Sequence, residues 1–259
     1  MIKVENIETM GWRGALRGMR NPLNSWEKSD TRFWGDERGE LITSTEAMII
    51  GPNDLSLMQR LYKGGTEHRK YLRQIMVSMD ITAPIYWISE FDTYKIGTTR
   101  NSCSFMHKGV SKPFDIHDFS VHDARIYEIL SPLPSVEALK YNITPKQANN
   151  IISGQPTDDQ NLFMLCYTWE NIISTLNELR EQYLATKDET VFQQIRCLLP
   201  SGYNQKFTVT MNYENVFNMI HQRSAHRLAE WVEFCKILKE LPYIVAIDPS
   251  LAMHESGEN

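Results

Sequence analysis

Two arginines stand in otherwise apolar or amphipathic stretches, Arg196 in QIRCLLP and Arg223 in NMIHQRSAHR, and could converge on a phosphate. A guanidinium offers a planar fork of N–H donors that fits a phosphate or carboxylate in pairs. From chemistry alone each reads more readily as a surface or salt-bridged residue, and spacing does not choose. The seven histidines, His68, His107, His117, His122, His221, His226 and His254, show no H-E-x-x-H or comparable ligand spacing, so no metal site is expected. His117 and His122 flank Asp115, Asp118 and Asp123, as in an exposed loop. Cys103, between Ser102 and Ser104, could be a nucleophile, but no positioned base is identifiable and a small half-buried thiol is the simpler reading. Neither a G-x-G-x-x-G after a strand nor a P-loop is present, which leaves side chains or helix N-termini to hold a ligand phosphate.

The elements that must position these groups are legible in part. The first fifty residues carry Arg13, Arg17 and Arg20 near Trp12 and Trp26 without a clean period, and read as an irregular or partly stranded arm. Asn53 and Asp54 are placed to cap a short amphipathic helix through Leu55, Met58, Leu61 and Tyr62, stopped by Gly64 and Gly65. Alternation from Tyr71 to Ile81 predicts a well-buried strand that Ala83 and Pro84 interrupt. The small polar run from Gly97 to Ser104 reads as a site loop. Thr144, Pro145 and Gln147 open a short helix that Gly154 ends.

Asp158 or Asp159 caps a long helix whose stripe holds Leu162, Leu165, Trp169, Ile172, Ile173, Leu176, Leu179 and Tyr183. A last helix starts at Asn212 and carries Phe217, Ile220, Ser224, Leu228, Trp231, Cys235 and Leu238 up to Pro242, with Asn218, Arg223, Arg227 and Glu230 off the stripe. The sum is an α+β fold: a single domain, a central mostly antiparallel sheet and long packed helices, with an arm at 1–50, a main domain at 51–245 and a tail at 246–259.

With 259 residues, 42% hydrophobic, the chain can bury a full core. A formal charge of −5 argues against general affinity for nucleic acid or anionic membrane, so bound phosphate must meet a local cationic site. Four cysteines without C-x-x-C spacing suit a reducing cytosol and a cytoplasmic protein. No apolar segment is long enough to predict a membrane span or a signal peptide.

Two stretches together resemble the flavin-dependent thymidylate synthases. The family's A-R-x-x-L-P, T-x-N and N-F-L-x-L-R read here as Ile195-Arg196-Cys197-Leu198-Leu199-Pro200, Thr210-Met211-Asn212 and Asn218-Met219-Ile220-His221-Gln222-Arg223, with Ala229-Glu230-Trp231 beyond. Upstream, Glu67-His68 matches an E-H pair and Ala83-Pro84-Ile85-Tyr86 an A-P-I-F. The signature R-H-R-x-x-S-x-N-E-x-S-x-R-Y is altered: aligned on Asn101 and Ser104, it keeps both, has Thr99 for the first serine and His107 for the tyrosine, and lacks its three arginines and glutamate. Lys95 and Arg100 are displaced cations there, and a flavin-contacting arginine of the family falls on Glu214.

The resemblance implies methylation of dUMP, or of a related pyrimidine nucleotide, with FAD, NADPH and methylenetetrahydrofolate. It places Arg196, Arg223, Ser104 and Asn101 on the nucleotide, with Arg223 also polarising the ring as the catalytic residue. His68, Lys95, Asn212 and Asn218 would seat the flavin. It further implies a homotetramer with sites shared between subunits, in which the arm could take part. The altered signature leaves open a different pyrimidine or one-carbon group, and a flavin-free nucleotide-binding homologue.

Overall fold

The computed structural model describes residues 2–33, 48–105, 109–131 and 158–255. His107 and the helix expected between Thr144 and Gly154 lie outside them. The chain divides into two compact units: a first of residues 2–82, 87–102 and 206–259, and a second of residues 83–86 and 103–205.

The first unit is built on a four-stranded sheet ordered β1-β4-β6-β5, from β1 (Lys3–Met10), β4 (Met76–Pro84), β5 (Thr98–Ser102) and β6 (Asn204–Asn212). β1 pairs antiparallel with β4 and β5 with β6. A separate pair, β2 (Arg32–Phe33) and β3 (Met48–Ile49), is also antiparallel. Along β4 the alternation is as expected, with Val77, Met79 and Ile81 buried, while on the other face Asp80 and Ser78 accept from the Thr208 and Thr210 hydroxyls of β6. The strand begins later than Tyr71. Residues Lys70–Arg73 form a 3-10 turn, closed by the Gln74 N–H on the Tyr71 carbonyl at 3.0 Å, and neighbours Tyr71 and Leu72 are both buried there in place of the expected alternation. Ala83 and Pro84 end β4 rather than interrupt it.

The arm is more regular than its sequence suggests. Trp12–Arg20 forms α1, burying Trp12, Ala15, Leu16 and Met19; Gly14 and Gly18 dilute the helical signal. The next helix, α2 (Pro52–Lys63), is capped neither by Asn53 nor by Asp54. Its free N–H groups are taken by the Asp30 carboxylate, which accepts from Asn53 at 2.9 Å and Asp54 at 3.1 Å. Gly51 is needed there because a Cβ would lie 2.2 Å from Asp30 Cγ. Asp54 instead turns inward, fully buried against Arg20.

Past α3 (Ile85–Phe91), the predicted site loop is largely β5, an edge strand whose Arg100 faces Val209 across the register. The last predicted helix is two: α7 (Tyr213–Arg223) and α8 (Ala229–Lys239), separated by residues 224–228, with a short α9 (Ile244–Ile247) after them. Glu230, expected off the apolar stripe, is buried. Trp87, Phe91, Phe207, Trp231 and Phe234 form the aromatic centre, with Trp87 and Trp231 centroids 4.7 Å apart.

In the second unit, α4 (Ala124–Leu130), α5 (Asp158–Thr186) and α6 (Glu189–Leu198) enclose Phe114, Phe119, Leu176, Phe192 and Ile195. The stripe of α5 packs as predicted except Leu165, which is exposed. Asp115 and Asp118 form a capping box and Asp123 caps α4, so this acid cluster organises backbone, and His117 and His122 are exposed. Among the described residues, no helix is long and apolar enough to cross a membrane.

Candidate nucleotide site

The residues of interest in the first unit gather along α7. Asn212 is its N-cap, the side-chain oxygen accepting from the Asn215 N–H at 3.0 Å, a role the T-x-N spacing made available. Its own N–H binds the Gly97 carbonyl at 3.1 Å, and Gly97, at φ +72°, leaves no room for a Cβ, which would lie 2.0 Å from Asn212 Nδ2. Asn215 completes the tie, donating to Thr98 Oγ1 at 2.8 Å and to the Ile96 carbonyl. The turn bearing Lys95 is thereby fixed to the start of α7, with Lys95 exposed. Asn218 is half-buried one turn on.

At the other end of α7, Arg223 is set in a polar and aromatic frame. Its Nε donates to Tyr94 Oη at 3.0 Å and its Nη1 to Glu90 Oε2 at 2.9 Å, with His226 Nε2 at 2.8 Å from Nη1. The guanidinium carbon lies 4.9 Å from the Trp231 ring and 5.8 Å from the Tyr94 ring. Trp231 Nε1 donates to the same Glu90 oxygen at 2.9 Å, so one carboxylate holds both the cation and the indole packed against it. Arg223 remains 21% exposed, and among the described residues its Nη2 has no hydrogen-bond partner. Glu90, Tyr94, His226 and Trp231 are functional candidates that sequence reasoning missed; the only signal was Glu90 and Tyr94 at i,i+4.

The substitution at Glu214, in the first turn of α7, is compensated. Its carboxylate accepts from Arg69 Nε at 3.3 Å, and from Arg73 through Nε and, at 3.5 Å, Nη2. The bond to Glu214 raises the Arg73 pKa further, so that cation is secure. Two guanidiniums face the Glu214 carboxylate, and Arg73, half exposed, also feels the Glu67 carboxylate. His68, exposed, immediately precedes this segment. This donor set fits a phosphate-bearing cofactor, through residues other than the family's own arginine. Arg100 is not comparably available: it binds Asp92 at 2.8 Å and Ser102 Oγ, over the Phe207 ring. Asn101 is exposed on β5.

A third group joins α2 to α7. Tyr62 Oη lies 2.7 Å from His221 Nε2 and donates to Asp248 Oδ2 at 3.0 Å. Burial, then the neighbouring Asp248, pushes the Tyr62 phenol well above its usual range, so it is a neutral hydrogen-bond donor.

In the second unit, Arg196 is exposed near the end of α6 and Ser104 is half-buried. Cys103 is exposed rather than half-buried. Among the described residues, no group of three or more His, Cys, Asp or Glu side chains is placed to hold a metal.

The family model for the thymidylate synthase complementing protein matches residues 54–241. No curated protein matches the chain in sequence. Among solved structures, thymidylate synthase X from Helicobacter pylori, determined with FAD and dUMP, is similar at TM-score 0.56 and 14% identity, covering 96% of this chain and 98% of that one. A second structure, the flavin-dependent thymidylate synthase of the same organism complexed with FAD and dUMP, gives TM-score 0.51 and 13% identity over 92% and 91% of the two chains. At such identity the likeness speaks for the fold, and with the family match over most of its length it makes this chain a member of the thymidylate synthase complementing protein family, the flavin-dependent thymidylate synthases.

Proposed function

We propose that the protein methylates dUMP to dTMP, or makes a closely related change to a pyrimidine nucleotide, using FAD, NADPH and methylenetetrahydrofolate. The observation that carries this reading is Arg223, a guanidinium held between Glu90, Tyr94 and Trp231 with a donor still open to a ligand. In use, Arg223 binds the nucleotide and stabilises negative charge that develops on the ring, as a preorganised cation in a partly dry site does best. Arg196, Ser104 and Asn101 complete the nucleotide contacts, and His68, Lys95, Asn212 and Asn218 those to the flavin, by the family resemblance. Arg69 and Arg73 take over the phosphate charge that the family's arginine at position 214 would meet. When bound, flavin supplies the two-electron chemistry; the protein supplies orientation and electrostatics. The working form is a homotetramer, the chain from 51 to 245 is its main domain, and four free cysteines without C-x-x-C spacing support a cytoplasmic setting.

A second reading, a flavin-free nucleotide-binding homologue, is favoured by the carboxylate at Glu214 and by Arg100 being engaged with Asp92. Adding FAD to the purified protein and desalting separates the two. Flavin absorbance that stays with the protein supports the enzyme. Colourless protein that still melts at a higher temperature with dUMP supports the binder, because selective binding to the native state raises apparent stability. Protein that neither retains flavin nor responds to dUMP overturns both.

A further inference from the structure

α1 presents Arg13, Arg17 and Arg20 at i, i+4 and i+7, on one helical face. They line a cavity of about 490 Å³, within the range of small-molecule sites, together with Trp26 and Phe33. The three arginines do different work. Arg20 is buried and saturated by Asp54 and by the Ser25 and Lys28 carbonyls, so it is part of the frame. Arg13 lies over the Phe33 ring, its guanidinium carbon 4.1 Å from the centroid, which makes a flat cationic wall. Arg17 is exposed, and among the described residues no carboxylate pairs with it or lines the cavity. Trp26, 49% exposed, has its indole plane held by an Nε1 bond to Asn21 at 2.8 Å. Like charges one turn apart disfavour a helix, and here they occur in a chain of formal charge −5, beside two flat rings.

We propose that this cavity binds a nucleoside diphosphate, its base stacked on Trp26 or the Arg13–Phe33 wall and its phosphates on Arg17. Guanidiniums pair with phosphate oxygens, and an aromatic or guanidinium plane stacks with any base, which together select a ring carrying adjacent negative charge. The site uses none of the residues given above to the pyrimidine nucleotide or the flavin.

The test is calorimetric titration of the full chain with ADP, beside adenosine and pyrophosphate. ADP is expected to bind more tightly than either fragment, and Arg17→Glu to weaken it about tenfold or more, the loss of one charge-assisted bond. Trp26→Ala is expected to weaken ADP but not pyrophosphate. Arg223→Ala should leave ADP binding intact, which separates this site from the one above. Should Arg17→Glu lower the melting temperature of the unliganded protein, Arg17→Gln replaces it. Absence of ADP binding overturns the proposal, as does binding that Arg17→Glu leaves unchanged or Arg223→Ala abolishes.

Discussion

Two arginine–carboxylate pairs in the first unit are built for opposite purposes. Arg20 and Asp54 are both almost wholly buried, and every polar contact around them is internal. Asp54 Oδ1 accepts from Arg20 at 2.6 Å, and Oδ2 from the Ser29 and Thr31 hydroxyls and the Asp30 and Thr31 N–H groups. Arg223 and Glu90 are at a similar distance, 2.9 Å, yet both are partly exposed, and aromatic rings instead of backbone groups surround the cation. A buried charge is tolerated only when its hydrogen-bonding capacity is filled, and the first pair achieves that by stapling the Ser25–Thr31 loop to α1 and α2. The second pair holds its cation in place while keeping part of it unspent.

The largest expected effect lies on the saturated pair. Asp54→Ala strands the Arg20 charge and several N–H and O–H donors, and should cost about 3–5 kcal/mol of stability by denaturant unfolding. A loss under about 1 kcal/mol would show that the network is not the structural staple described. The same carboxylate sets an acid limit. Burial alone would raise its pKa, but hydrogen bonds from Thr31, Ser29 and Arg20 outweigh this and hold it below the usual range. A depressed carboxyl contributes stability that is complete above its unfolded value of about 3.9 and lost as pH falls through the folded one. Melting temperature followed below pH 4 should therefore drop steeply in the native chain and less so in Asp54→Asn.

For the unsaturated pair the expectation inverts. Arg223→Ala should weaken dUMP binding by about 2–5 kcal/mol while moving the melting temperature of the free protein little. A stability loss as large as that of Asp54→Ala, with dUMP affinity intact, would make Arg223 structural and break the contrast. The smallest effect is reserved for Tyr94→Phe, which removes the hydroxyl accepting from Arg223 Nε and donating to Gln222. It should cost about 1 kcal/mol of dUMP affinity, read by titration, with no change in stability.

How much of this was legible in the sequence differs by residue. Asn212 was identified as the start of a helix and is its N-cap, because capping needs only a side-chain oxygen three residues from an N–H. The same local rule points to Asp54 and fails, since Asp30, twenty-four positions away, supplies the carboxylate at the helix terminus. The residues of β5 read as a loop because, small and polar, they carry no alternation, and pairing with β6 supplies what propensity does not. The single final helix became two, which is what lets Arg223 and His226 meet Trp231 across the break. Glu214 was recognised as a charge reversal, but Arg69 and Arg73, which answer it, lie some 140 positions earlier.

By itself, then, the sequence determined the periodic core of β4 and α5, the capping asparagine, the arginines worth watching and, by its motifs, the family. Those are properties of neighbours along the chain, where spacing of 2 or 3.6 residues translates directly into a face. The tertiary structure alone decided which arginines are consumed by carboxylates and which keep a donor for a ligand. That depends on partners distant in sequence, and no local pattern records whether a guanidinium's hydrogen bonds have been filled.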